Sequence, residues 1–289
     1  MGKFIILTDS CCDLPAAMAV ELNIEAVPLA VTIAGKTYRN YLDEREICSH
    51  DFYQLLREYQ SALTTAPNIE DFIHYMKPHL ENGEDILFLG FSSALSASYN
   101  VGTIAAKELS VQYPKCKILT IDSLSASLGQ GLLLFLCVTE QQKGCSIEEV
   151  AAFAERMKYH ICHWFLVEDL NHLKRGGRIS ATTAVVGTLL NVKPILHFDN
   201  EGKMINMEKG HGRNKSIKRL AQIVSEKAKN LTEQTVFISH ADCYEDAERL
   251  NELLKEYGVK KTVISSVGPV IGTHAGPGTI AVFFIADQR

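Results

Sequence analysis

DILFLGFSSALSAS, residues 85–98, decides how this chain folds. The six residues from Asp85 to Gly90 are almost continuously apolar, as in a strand buried on both faces. A hydroxyl-rich turn follows and leads into a helical run that ends near Ser110. A strand without polar alternation, followed by a helix rather than a hairpin, is the unit of a parallel sheet with helices on both faces. Two other stretches repeat it. Residues 3–8 (KFIILT) run into Asp9, Ser10 and a helix from about Pro15 to Leu22. Residues 117–122 (KILTID) stop at Asp122-Ser123 before a helical run over 125–143. Pro15 suits a first helical turn, where its missing N–H is not needed. Ser49 and Asn68 stand where N-caps belong, and Ser146 with Glu149 forms a capping box. Residues 25–33 and 36–38 flank Gly35 as a hairpin. In open α/β sheets ligands bind beyond the carboxyl ends of the strands, so the polar turns after these strands are informative.

Past residue 160 the texture changes. Residues 161–167 are strand-like and lead into EDLNHLKRGGRIS; a helix of small residues is expected at 181–190. Strands at 192–198 and 204–208, a long helix at 215–229, a strand at 235–240 and a helix at 244–257 follow. The last apolar runs, 259–264 and 279–285, flank Gly268, Pro269, Gly272, Gly276, Pro277 and Gly278, with His274 in their midst. Glycines let the backbone approach a ligand closely and prolines stiffen a loop. A plain turn requires neither in that number, so the segment is read as a shaped loop presenting His274 to a small molecule. The fold class expected is α/β in two domains. Residues 1–160 carry the parallel sheet with helices on both faces, and residues 161–289 an α/β domain with a mixed sheet.

The composition excludes several classes. Of 289 residues 46% are hydrophobic and 22% charged, as in soluble globular proteins. A net charge of −5 and a pI near 6.1 argue against a general nucleic-acid binder. MGKFIILTDS enters a strand at once without signal-peptide architecture, and the apolar run 131–138 is too short to span a bilayer. A cytoplasmic protein is expected, with its eight cysteines as reduced, mostly buried thiols. No metal site is expected, since the two histidines of HICH (160–163) would point to opposite faces of a strand.

Neither usual nucleotide motif is present. GKT at 35–37 lacks the glycine that a P-loop needs at position 30, and no GxGxxG follows a strand. Hydroxyls cluster at Thr64-Thr65, at Ser92, Ser93, Ser96 and Ser98, and at Asp122-Ser123. Hydroxyls and free N–H groups where a strand turns into a helix make an anion pocket, although helix capping alone would also place serine there. A second reading is a serine esterase. Gly90-Phe91-Ser92-Ser93-Ala94 nearly matches the nucleophile elbow, and Asp242 and His274 follow in hydrolase order. Ala94 replaces the last glycine, and no HGGG oxyanion loop is present. In KRGGR, Arg175 and Arg178 bracket a glycine pair, within a region (171–219) of ten Lys and Arg against three Asp and Glu. Lys215, Lys218 and Arg219 read as a solvated helix face; the two bracketing arginines read as an anion contact.

TDSCCDLP (8–15), TTAP (64–67), SSALSASY (92–99), Asp122-Ser123 with Gly129 and Gly131, LKRGGRIS (173–180), LNVKPIL (190–196), Gly202-Lys203 with EKGHGR (208–213), and VGPVIGTHAGPG (267–278) occur in one order over the whole chain. Together they resemble the DegV family, the fatty-acid-binding proteins that serve bacterial fatty acid kinase. The resemblance implies two α/β domains with a long-chain fatty acid buried between them and no complete active site, cofactor or metal. Its carboxylate-binding residues match Thr64, Ser93 and His274, with Thr65, Ser92, Ser96, Gly272 and Thr273 as further pocket candidates. Arg175 and Arg178, with His211 and Arg213, match positions that bear on coupling to a separate ATP-binding kinase subunit. Transient contact with a membrane surface is implied as well. The family's SxLSGTY reads SALSASY here, TSxP reads TTAP, and His211 stands where relatives often carry arginine. The acyl tail is expected against residues 184–190 and 264–271.

Overall fold

The computed structural model describes residues 3–179 and 192–289. Strand β1 (Phe4–Asp9) is buried throughout and pairs in parallel with β2 (Ile24–Val27) and with β6 (Asp85–Gly90). β7 (Ile118–Asp122) adds in parallel to β6, giving the order β2-β1-β6-β7. Alternation along β1 puts Ile5 and Leu7 in one apolar cluster and Phe4 and Ile6 in another. The first contains Phe72 and Met76 of α3 (Ile69–Glu81) and Leu109 of α4 (Ser98–Gln112). The second contains Leu132 and Leu133 of α5 (Leu128–Gln142) and Val150 of α6 (Ile147–Met157). Helices thus cover both faces, as the unbroken apolar strands require. α1 (Ala16–Glu21) links β1 to β2.

The second sheet is mixed. β8 (Ile161–Leu166), β9 (Val192–Phe198), β10 (Met204–His211), β11 (Thr235–His240), β12 (Lys261–Ser266) and β13 (Ile280–Ile285) lie in the order β10-β9-β8-β13-β11-β12. Only β11 and β12 pair in parallel. One face packs on α8 (Arg213–Lys227) and α9 (Tyr244–Glu256) through Trp164, Leu166, Val282 and Phe284. The other face presents Phe165, Leu196, Phe198, Ala281 and Phe283 to the cluster that holds α5. α5 is apolar nearly all round because it lies between the two sheets. Among the described residues no helix is long and apolar enough to cross a membrane.

Several local expectations change. The strand expected at 25–33 breaks at Pro28, which has no N–H for a ladder, into β2 and β3 (Ala30–Ile33). β3 pairs with β4 (Lys36–Arg39) and with an unforeseen strand, β5 (Leu63–Thr65). This small sheet and α2 (Ser49–Tyr59) share an apolar cluster with Ala241 and Val267, so the excursion packs on the second half of the molecule. Ser49 is the first residue of α2 rather than its cap; the Cys48 thiol accepts from the Asp51 N–H. Asn68 and Ser146 do cap α3 and α6, each in a capping box. A short helix, α7 (Leu170–Arg175), follows β8, and the loop around His274 contains α10 (Pro269–Ala275), with Pro269 at its start. The helix expected at 181–190 lies outside the described residues.

The carboxyl ends of β1 and β6 are tied by one buried carboxylate. Asp9 accepts from the N–H groups of Phe91 (2.9 Å) and Cys11 (3.1 Å), from Ser98 Oγ (2.9 Å) and from Gln130 Nε2 (3.4 Å). Burial pushes its pKa up against these donors, which pull it down. Asp9→Ala is expected to destabilise the fold by about 2 kcal/mol, since buried N–H groups lose their acceptor while a desolvated carboxyl group is removed. The measurement is the shift in urea midpoint at constant slope.

Candidate functional site

A cavity of about 230 Å³ lies between the sheets. The first half of the chain supplies Leu29, Phe91, Leu95 and Ala126 to its wall; the second supplies Phe165, Leu173, Phe198, Val270, Ala281 and Phe283, among others. The period of two along β13 sends Ala281 and Phe283 to this side and Val282 and Phe284 to the opposite core. Alanines at 126 and 281, where larger side chains would close the space, help to keep it open. Of the tail-lining stretches expected, 264–271 contributes Val267, Val270 and Ile271. Residues 184–190 lie outside the described residues.

Thr64, Ser96, Arg178 and His274 are among the few polar residues of the lining. Thr64 comes from β5, opposite Val31 of β3, and its Oγ1 lies 2.9 Å from Nε2 of His274, near the end of α10. The other imidazole nitrogen, Nδ1, is buried and has no hydrogen-bond partner among the described residues. A buried lone pair without a donor is tolerated better than a buried N–H without an acceptor, which assigns the proton to Nε2. Nε2–H then donates to Thr64, leaving the threonine hydroxyl proton for a ligand. Burial, and after it the charge of Arg178, pushes the pKa of His274 down to about 4, so the ring is neutral at pH 7.

Arg178 is half-buried and donates through Nε to the Leu95 carbonyl (3.2 Å) and through Nη1 to the Gly176 carbonyl. Burial lowers its pKa, and no described carboxylate offsets that effect. A second, polar cavity of about 250 Å³ shares Thr64, Arg178 and His274 with the first and adds Gln60, His172, Arg175 and Thr273. These shared residues form a gate between a greasy chamber and a polar vestibule.

The two glycines of KRGGR have separate causes. A Cβ on Gly176 would lie 2.2 Å from His274 Nδ1, whereas Gly177 has φ +70° and open space around it. Gly177→Ala is therefore expected to cost about 1 kcal/mol of stability with ligand affinity unchanged. Gly176→Ala should displace the imidazole and weaken binding of a ligand at the gate by about tenfold. Thermal melting and ligand titration on both variants separate the two effects.

The structure brings together only part of the site expected from sequence. Ser93 is exposed, its N–H faces the Asp122 carboxylate (3.3 Å), and it does not line the cavity; Ser96, further along the same turn, does. Thr65 is exposed because it follows Thr64 in a strand and so faces the other way. Ser92 is buried and donates to the Gly202 carbonyl (3.1 Å), tying two turns together. The glycine at 272 admits the Tyr53 hydroxyl, 2.3 Å from where a Cβ would sit, and Thr273 donates to the Pro269 carbonyl (2.9 Å). Arg175 is exposed in the vestibule, 3.1 Å from His172 Nδ1, while Arg178, expected to couple to a partner, sits at the gate. His211 is exposed at the end of β10. Arg213 is held by Asp246 (2.8 Å) and Glu168 (3.3 Å).

The esterase arrangement is not assembled. Asp242 pairs with Arg57 and with His50 (3.0 Å), His274 bonds to Thr64, and Ser92 is spent on a backbone carbonyl. A nucleophile needs its base, and that base its orienting acid, within hydrogen-bond reach.

The DegV family profile, described as that of an uncharacterised protein family, matches residues 3–287. A DegV domain-containing protein of Clostridium perfringens is 43% identical over 290 residues, covering 100% of this chain and 99% of that protein. One of Streptococcus pyogenes is 33% identical over 286 residues and covers 99% of each. Among solved structures, a DegV family protein from Thermus thermophilus, described by its fatty acid binding, superposes with a TM-score of 0.89 at 28% identity, over 98% of this chain and 99% of that one. DegV of Bacillus subtilis, described as a fatty acid binding protein, does so with a TM-score of 0.85 at 28% identity, over 99% and 100%. Sequence profile, curated relatives and superposed folds agree from one end to the other, and this chain belongs to the DegV family.

Proposed function

We propose that this protein holds one long-chain fatty acid between an N-terminal domain (1–160) and a C-terminal domain (161–289), with its carboxylate at Thr64, Arg178 and His274 and with Ser96 beside them. The observation that carries this reading is the half-buried Arg178, which no described carboxylate offsets, at the polar end of an apolar cavity. A half-buried cation with no counter-ion among the described residues is partly stripped of water, and a ligand carboxylate offsets that cost. The tail supplies the driving force: each buried methylene contributes about 0.8 kcal/mol, so about 15 of them offer roughly 12 kcal/mol before the costs of association. The fatty acid binding described for the relatives from T. thermophilus and B. subtilis agrees with this chemistry.

The bound carboxylate is presented through the vestibule to a separate ATP-binding kinase subunit, which phosphorylates it to an acyl-phosphate. This protein then carries the lipid and supplies no complete active site. Exposed Arg175 belongs to the coupling surface, with His211 as a second contact; transient contact with a cytoplasmic membrane surface would load the cavity. The test is acyl-phosphate formation from ATP and oleate with purified kinase subunit, with and without this protein. Product only in the complete mixture is expected. Fatty acid binding without any product in that mixture would leave a lipid buffer and refute the kinase role.

A further inference from the structure

The cavity wall carries a second polar group, away from the gate. Ser127 and Ser239 both line the chamber, both are buried, and their hydroxyl oxygens lie 3.2 Å apart. Behind them is Asp13, whose carboxylate accepts from Ser127 Oγ (2.6 Å) and from the Gly268 N–H (3.1 Å). Gly268 precedes α10 and His274 lies near its end, so the Gly268 end of this network and the imidazole are about 9 Å apart along the helix at 1.5 Å per residue. The serines line the apolar chamber and not the polar vestibule, so they face the acyl chain rather than its carboxylate.

The protons of the string can be counted. Ser127 Oγ donates towards Asp13 Oδ2 (2.6 Å) and towards Ser239 Oγ (3.2 Å), so its single proton is shared between two acceptors and Ser239 is an acceptor in this string. The proton of Ser239 itself meets no acceptor among the described residues, although the side chain is fully buried against the chamber. Ser127 is also held at φ 51°, ψ −144°, a conformation natural to glycine and strained for a serine. A hydroxyl kept at such a cost and coupled to an open donor in a greasy wall is not explained by packing.

We infer that the Ser127–Ser239 pair is a subsite on the chamber wall at which Ser239 donates a hydrogen bond to an acyl-chain hydroxyl, so that the chamber takes hydroxylated long-chain fatty acids as well as plain ones. This rests on the fatty acid reading above. A hydroxyl buried without a partner should weaken binding by roughly tenfold to a hundredfold, and one that meets Ser239 should escape that penalty.

The test compares stearic acid with stearic acids hydroxylated at carbon 8, 10 or 12. It uses competition for a fluorescent fatty acid at pH 8.5, above the Asp13 pKa, which burial raises to about 7. The expected result is that at least one hydroxylated acid binds within about threefold of stearic acid. Ser239→Ala should then weaken that acid by roughly five- to tenfold and leave stearic acid unchanged. If the wild-type protein binds stearic acid but rejects all three hydroxylated acids by tenfold or more, the subsite is refuted without recourse to the variant. Tolerance of a hydroxylated acid that persists unchanged in the Ser239→Ala protein would refute it too, by showing that another group reads the hydroxyl. Failure to bind stearic acid at all would overturn the fatty acid reading itself.

Discussion

Arg178→Ala is expected to weaken binding of a long-chain fatty acid by roughly a hundredfold while leaving the methyl ester of the same chain within about threefold of its wild-type affinity. The guanidinium is the charged group at the gate, and its bonds to the Leu95 and Gly176 carbonyls fix it on the turn that abuts His274. A carboxylate brought into the cavity trades its water for this charge and for the Thr64 hydroxyl, and charge-assisted bonds are about twice as strong as neutral ones. The ester brings no charge and so has little to lose. Arg178→Lys should recover only part of the affinity, because an ammonium group cannot reproduce the planar fork that reaches both carbonyls. Competition titrations with acid and ester on the three proteins give the result; equal losses for acid and ester would show that Arg178 only shapes the cavity.

Ala281→Phe is expected to separate stability from function. The alanine lies on the cavity face of β13, opposite Phe165 of β8. A phenyl group there would fill space that is otherwise kept for ligand. Filling an apolar cavity stabilises a fold when the new side chain fits, by about 1 kcal/mol here, seen as a rise in melting temperature. The same ring would occupy the path of the tail, and fatty acid affinity should fall at least a hundredfold. A variant that melts lower and still binds would mean that the tail runs elsewhere.

Much of the architecture was legible in sequence because β1, β6 and β7 are apolar without alternation and each leads to a helix, which leaves little but a parallel sheet covered on both faces. The mixed second sheet followed from the change in texture after residue 160. The small sheet was harder to read. β5 has only three residues, and its pairing with β3 is a long-range event that no local pattern announces. α10 could have been found from Pro269 directly after Gly268, a start signal outweighed by the density of glycines around it. Thr64 and His274, 210 positions apart in sequence, do meet at 2.9 Å. Ser93 and Ser96 share one irregular turn, where neither a period of two nor one of 3.6 says which hydroxyl faces inward. Arg178 was recognised as an anion contact, but its place at the gate depends on α7 and the Gly176–His274 contact, which exist only in three dimensions.

The central claim is that the space between the sheets is an acyl-chain slot with an acid-binding end. Its most direct test is mass spectrometry of lipid extracted from the denatured, freshly purified protein, beside native mass spectrometry of the same preparation. Close to one long-chain fatty acid per chain, displaced by added oleic acid and greatly reduced in the Ala281→Phe protein, is the expected result. A wild-type protein that carries no fatty acid, and takes none up when oleic acid is supplied, would contradict the account.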